Sequence, residues 1–132
     1  MPRLMSETIG TGDQSWLGST HGINSARTET IDISAFTLAD HYPNGYIPAG
    51  TPLAIVGGLA VPYDITVGTT TGAGILAGHL LTDQKVVGTI DFAAPVIDHG
   101  RVKVAKVAAI LTIWSAFVKP IAAKNATTIV YV

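Results

Sequence analysis

The groups in this 132-residue chain that could do chemistry are four histidines and nine acidic residues, with no cysteine. Two of the histidines follow an aspartate directly, as Asp40-His41 and Asp98-His99. Neighbouring residues on a strand point to opposite faces, so neither pair makes a catalytic dyad by itself. A Ser-His-Asp triad needs an exposed nucleophile and an oxyanion hole, and the Gly-x-Ser-x-Gly elbow that would present one does not occur. In "DHGR" the bland reading is a turn, with Asp98 bonding a backbone N–H and Gly100 supplying a positive φ. His21, His41, His79 and His99 lie far apart, and none has a second ligand at helical or hairpin spacing, so no metal is expected. The glycine-rich "ITVGTTTGAG" lacks the Lys-Ser/Thr ending of a phosphate cradle. Asn125-Ala126-Thr127 matches the glycosylation triplet, but "MPRLMSETIG" has no apolar core of a secretion signal, which points to synthesis and assembly in a cytoplasm. These residues describe a binding or structural module without a cofactor, not an enzyme.

Composition narrows the class further. Charged residues make up 13% of the chain, against about 25% in an ordinary soluble domain. Apolar residues reach 48%. The longest apolar run, "VAAILTIWSAFV" at 107–118, is too short for a membrane span, which needs about 20 residues. It reads as core or interface. A small, charge-poor chain has difficulty hiding its apolar surface alone, which predicts a homo-oligomer or a part of a larger assembly. A monomer with a patchy surface is the alternative. With eight basic residues, nine acidic ones and a net charge of −1, the chain has no basic stripe for nucleic acid.

The elements that must position any site fall into two parts. Residues 1–29 are rich in Ser, Thr and Gly, with no helical or strand period, and predict a flexible N-terminal arm. Trp16 and Leu17 stand in the middle of it, either as an anchor that orders against a partner or as a group that folds back on its own domain. Deleting 1–29 is expected to leave the remainder, 30–132, folded. In that remainder Ile31 and Ile33 alternate with Thr30, Asp32 and Ser34 as in a half-buried strand. Pro43-Asn44-Gly45 and Pro48-Ala49-Gly50 signal two turns. "TPLAIV" (51–56), a Gly57-Gly58 turn and "LAVPY" predict a hairpin, with Pro62 marking an edge or an end.

Residues 74–82 and 88–100 read as buried strands, "RVKV" (101–104) alternates, and "TTIVYV" (127–132) is a terminal strand. Val107, Ile110, Leu111, Trp114 and Val118 fit the stripe of a short helix, while their β-branched neighbours favour a strand. The prediction is a small, mainly β domain, barrel-like, with at most one or two short helices.

"NGYIPAGTPLAIVGGLAVPYD", "AGILAGHLL" and "APVIDHGRV", in this order and spacing, resemble the head-decoration proteins of tailed phages, the lambda head protein D type. The resemblance spans roughly residues 28–104. It implies a β-tulip-like domain that assembles as a homotrimer on the outer surface of an expanded phage head. There it would bind the major capsid protein at three-fold positions and stabilise the virion against internal DNA pressure. It also implies an N-terminal arm that adds a strand to a capsid sheet, for which Trp16, Leu17, Ile31 and Ile33 are the expected contact residues. The other reading is a β-rich ligand- or carbohydrate-binding module of a virion, with Trp16, Tyr42, Tyr46 and Tyr63 as a sugar platform.

Overall fold

The computed structural model describes residues 15–18, 26–64 and 72–132. The chain is mainly β, as its turn-rich alternation predicts. Five strands close into a barrel: β1 (Arg27–Ile31), β3 (Pro52–Val56), β4 (Leu59–Pro62), β5 (Gly78–Leu80) and β7 (Phe92–Ile97). Around the barrel their order is β1-β4-β3-β5-β7. All neighbours are antiparallel except β1 and β4, which meet in parallel at Ile31 and Ala60. Closure leaves these strands no open edge.

The hairpin of β3 and β4 forms as the sequence predicts. Gly57 and Gly58 both have positive φ (60° and 82°), the backbone that a tight two-residue hairpin requires. Pro62 is the last residue of β4 and pairs only with Leu53 of β3. A strand can end on proline because its missing N–H is then not needed by a second neighbour.

The two turns before β3 also form. Gly45 donates to the Tyr42 carbonyl (3.0 Å) and Thr51 to that of Pro48 (3.3 Å). Between them runs β2 (Tyr46–Ile47), paired with β6 (Gln84–Lys85), a short ribbon that carries no sequence signal of its own. The helix α1 (Leu38–His41) is equally silent in the sequence.

Several expectations are corrected. The strand at Ile31 stops there. Asp32 accepts from the Ser34 N–H (3.2 Å) and Hγ (2.6 Å), which starts a 3-10 turn over Ile33–Ala35. Asp98-His99-Gly100 is not a reversal: β7 passes through Asp98 into β8 (His99–Val102), and Gly100 holds its positive φ (124°) inside that strand. The carbonyl of Asp98, rather than its side chain, accepts from the Thr128 N–H (2.9 Å).

Residues 105–118 are neither one helix nor a strand. The short helix α2 (Val104–Ala108) ends at Ala109, Leu111 is extended, and a 3-10 turn follows at Thr112–Trp114. No side chain caps either segment at its start, and the β-branched residues add little helix propensity. Val107 and Trp114 are buried as the stripe predicts, but Val118 is exposed and Phe117 takes the inward place. The inward residues from the turn onward are Trp114, Phe117 and Pro120, three positions apart, although the 3-10 turn itself ends at Trp114.

Two cores result. The barrel encloses Ile31, Leu53, Ala60, Leu80, Ala94 and Val96, with Ile33, Phe36 and Ile47 at its end. The second core lies between the barrel and the parallel pair β8 and β9 (Thr128–Tyr131). It holds Trp16, Tyr63, Leu76, Val102, Val107, Trp114, Phe117 and Tyr131.

Candidate functional site

Of the expected arm contacts, Trp16 settles its two readings in favour of folding back. It is 1% exposed and belongs to the second core. Its carbonyl accepts from Lys103 N–H (2.7 Å), Leu17 bridges Val102, and Gly18 donates to the Arg101 carbonyl (2.9 Å). Residues 16–18 are thus backbone-paired to β8 as a short antiparallel segment. Ile31 is fully buried in the barrel and Ile33 nearly so. Trp16, Ile31 and Ile33 fill the domain's own interior, and the half-buried Leu17 packs against it. Dividing the chain at residue 29 would also cut through β1. Residues 1–14 and 19–25, the remainder of the proposed arm apart from Ala26, lie outside the described residues, and so does His21.

The three described histidines stay apart. His41 is buried on α1, where its Nδ1 accepts the Thr37 N–H (2.9 Å) and its ring packs on Phe36 and Trp114. Burial pushes its pKa down, against the opposing pull of Asp40. His99 meets the Thr128 hydroxyl at 2.8 Å. Among the described residues no three His, Asp or Glu side chains converge on a common point.

His79 is different, and nothing in its sequence neighbourhood marks it. It sits on β5 with no exposed surface, at the junction of the barrel and the second core. Its Nδ1 meets the Gly50 carbonyl at 2.9 Å and its Nε2 meets the Tyr131 hydroxyl at 2.8 Å. A carbonyl only accepts, so Nδ1 carries the proton and Nε2 takes the Tyr131 O–H. The ring stacks on Trp16 (centroids 5.8 Å apart, planes at 26°) and meets the edge or face of Phe117 at 5.8 Å. Burial holds its pKa down to about 4, only partly offset by the bond to Gly50. Burial likewise raises Tyr131 far above the usual phenol range. Both groups are therefore neutral, and they act as a polar bolt inside an aromatic shell.

Gly50 makes that shell possible. Its φ is +89°, and a Cβ there would stand 2.8 Å from the Trp16 ring and 2.7 Å from Ile110 Cδ1. The turn that the sequence marks with Pro48 and Gly50 thus has a second purpose, to bring a backbone carbonyl against His79. Asp83 secures the same turn by accepting the Ala49 N–H (2.7 Å).

Three concavities among the described residues include two of more than 300 Å³. A cleft of about 320 Å³ is lined by Ser15, Trp16, Asn44, Tyr46, Asp83 and Lys106, among others. A larger cavity of about 700 Å³ opens between the β3–β4 hairpin and the 3-10 turn at Thr112–Trp114. Its walls are mainly apolar and include Val56, Val61, Pro62, Ile113 and Trp114, with His41 and Asp64 as polar members. Val56 and Ile113 stand exposed there (42% and 38%). The proposed sugar platform is not assembled: Trp16 and Tyr63 are buried, and Tyr42 and Tyr46 are half-buried.

Comparison of the chain with protein-family models, with curated proteins and with solved structures finds no match.

Proposed function

We propose that this chain is a non-enzymatic decoration protein of a phage head. In this reading it binds the major capsid protein on the outer surface of the expanded head as a homotrimer and stabilises the head against internal DNA pressure. The observation that carries the proposal is the apolar cavity of about 700 Å³ with Val56 and Ile113 exposed in its wall. Leu38, Val118 and Ile121 add further exposed apolar surface (59%, 62% and 66%). In a chain with 13% charged residues, such surface marks contact with protein rather than with water alone. The order and spacing of "GYIPAGTPL", "GILAG" and "DHGRV" support the same reading.

The burial of Trp16, Ile31 and Ile33, with Leu17 half-buried against the same core, changes the mechanism. These residues stiffen the knob, and gripping falls to exposed groups. A trimer multiplies weak contacts, because each copy that binds raises the local concentration of the others.

The test is binding to expanded, DNA-free phage heads. The wild-type chain is expected to bind saturably and to raise the temperature at which the heads rupture. A double variant, Val56→Asp with Ile113→Asp, charges the exposed wall without touching either core and should lose occupancy at least tenfold. Equal occupancy by the variant would remove this face from the contact. No binding by the wild-type chain would remove the proposal.

A further inference from the structure

The polar bolt around His79 joins parts of the chain that lie far apart in sequence. Trp16 stacks on one side of the ring, the Gly50 carbonyl holds Nδ1, and Tyr131 of β9 holds Nε2. Phe117 closes the remaining approach. Every hydrogen-bonding position of the neutral ring is used, and no water reaches it. A second ring proton would have to point at the Tyr131 oxygen, whose own hydrogen would then have to turn to the Thr127 side chain, its other hydrogen-bond partner. The added charge would meet no counter-charge, since no carboxylate of the described residues lies within ion-pair distance of the ring.

The groups around it are as follows. β9 contributes Tyr131, and Tyr63 approaches Tyr131 from the end of β4; both are neutral phenols with raised pKa values. β3 and β7 face His79 with Pro52 and Ile97, which do not titrate. Beside Trp16, the cleft holds Asp83 and Lys106, and Asp83 is engaged with the Ala49 N–H.

We propose that His79 is an acid-operated latch, whose protonation frees residues 15–18 from β8 while the barrel stays closed. His79 is a rung of β5, paired with Pro52 and Ile97, but the barrel core itself, Ile31, Leu53, Ala60, Leu80, Ala94 and Val96, holds no titratable side chain. The Trp16 segment is held by two backbone hydrogen bonds, Lys103 N–H to the Trp16 carbonyl and Gly18 N–H to the Arg101 carbonyl, by the burial of the Trp16 ring and by its stack on His79. It is the part of the shell in direct contact with the ring that only two backbone hydrogen bonds tie to its neighbouring strand. Once it opens, the ring meets water, and its proton affinity returns toward the ordinary histidine value of 6.5.

Linkage sets the size of the effect. The open form takes up the proton below pH 6.5 and the closed form only near pH 4. The ratio of open to closed molecules therefore rises as pH falls through that window, by at most about tenfold per pH unit.

Hydrogen exchange of the Trp16 indole N–H reads the latch directly, because this N–H is buried and has no partner among the described residues. In the full chain, its protection, corrected for the intrinsic rate, is expected to fall as pH drops from 6.5 to 4, by at most about tenfold per pH unit. Amides of β1 and β7 should keep theirs. His79→Asn, which retains a donor near Nδ1, should abolish the pH dependence, and His41→Gln should leave it intact. Should His79→Asn fail to fold, a nuclear magnetic resonance titration of the wild-type ring replaces it, with protonation expected to track loss of Trp16 protection. Protection that does not vary with pH, or that is lost together with the barrel amides, would overturn the latch.

Discussion

The two cores solve the same problem with different materials. The barrel core is made of aliphatic side chains and Phe36, closed by hydrogen-bonded strands on every side. The second core adds rings to its aliphatic residues: Trp16, Tyr63, Trp114, Phe117 and Tyr131 pack with Leu76, Ile97, Val102, Val107 and Ile129 and are bolted by His79. Burying apolar groups carries no condition on protonation, so the first core should be indifferent to pH. The second buries the His79 ring and two indole N–H groups, those of Trp16 and Trp114, without partners among the described residues. The lesson is that a small domain can extend its interior beyond one barrel, at the cost of polar groups whose neutrality must be maintained.

The sharpest way to break this comparison is to remove residues 1–29. That deletion takes Trp16 from one core and Arg27, Thr28 and Glu29 from β1, which pair with Val96, Pro95 and Ala94. Loss of the cooperative unfolding transition is the expected outcome, read by circular dichroism on heating. A folded product with wild-type melting would contradict the placement of both groups. The narrower change Trp16→Ala should cost about 3–5 kcal/mol by denaturant titration, the usual range for a buried aromatic.

Acid comes next in size. His79 has a lowered folded pKa of about 4, so the unfolded chain binds the extra proton first as pH falls below 6.5. Stability is thus fully present above pH 6.5, declines as pH drops, and levels off below about 4. Summed over the window, the loss is about 3 kcal/mol. His41, also lowered by burial, acts in the same direction. Chemical denaturation at a series of pH values measures the slope, which His79→Asn should reduce.

The smallest expected effect is Trp114→Phe. A buried N–H without a partner costs roughly 1–3 kcal/mol, and Phe removes it together with part of the ring. The two contributions oppose one another, so a net change within about 1 kcal/mol is expected, whereas Leu80→Ala in the barrel should cost about 2–5 kcal/mol. Equal losses for the two variants would mean that the cores do not differ in kind.

The legible parts of the fold were those with local chemistry. Gly57-Gly58, Pro43-Asn44-Gly45 and Pro48-Ala49-Gly50 each act within four residues, and each turns the chain where the types predict. The terminal strand and the inward Val107 and Trp114 follow from alternation and period. Barrel closure was not legible, since the parallel contact of β1 with β4 joins Ile31 to Ala60 with no local signal. Nor was the site at His79. Its partners stand 29 and 52 residues away, and a lone histidine in an apolar run looks the same whether it is exposed or bolted. Trp16 misled for a related reason: a polar, aperiodic neighbourhood suggests an arm, but one large ring can hold a short segment against a distant strand.

The functional proposal stands on where the chain sits in a particle. The most direct test is a cryo-EM map of expanded phage heads incubated with the full chain. The account predicts three copies around each three-fold position, with the Val56 and Ile113 face buried against protein. Heads that stay bare, or copies bound singly with that face open to solvent, would contradict it.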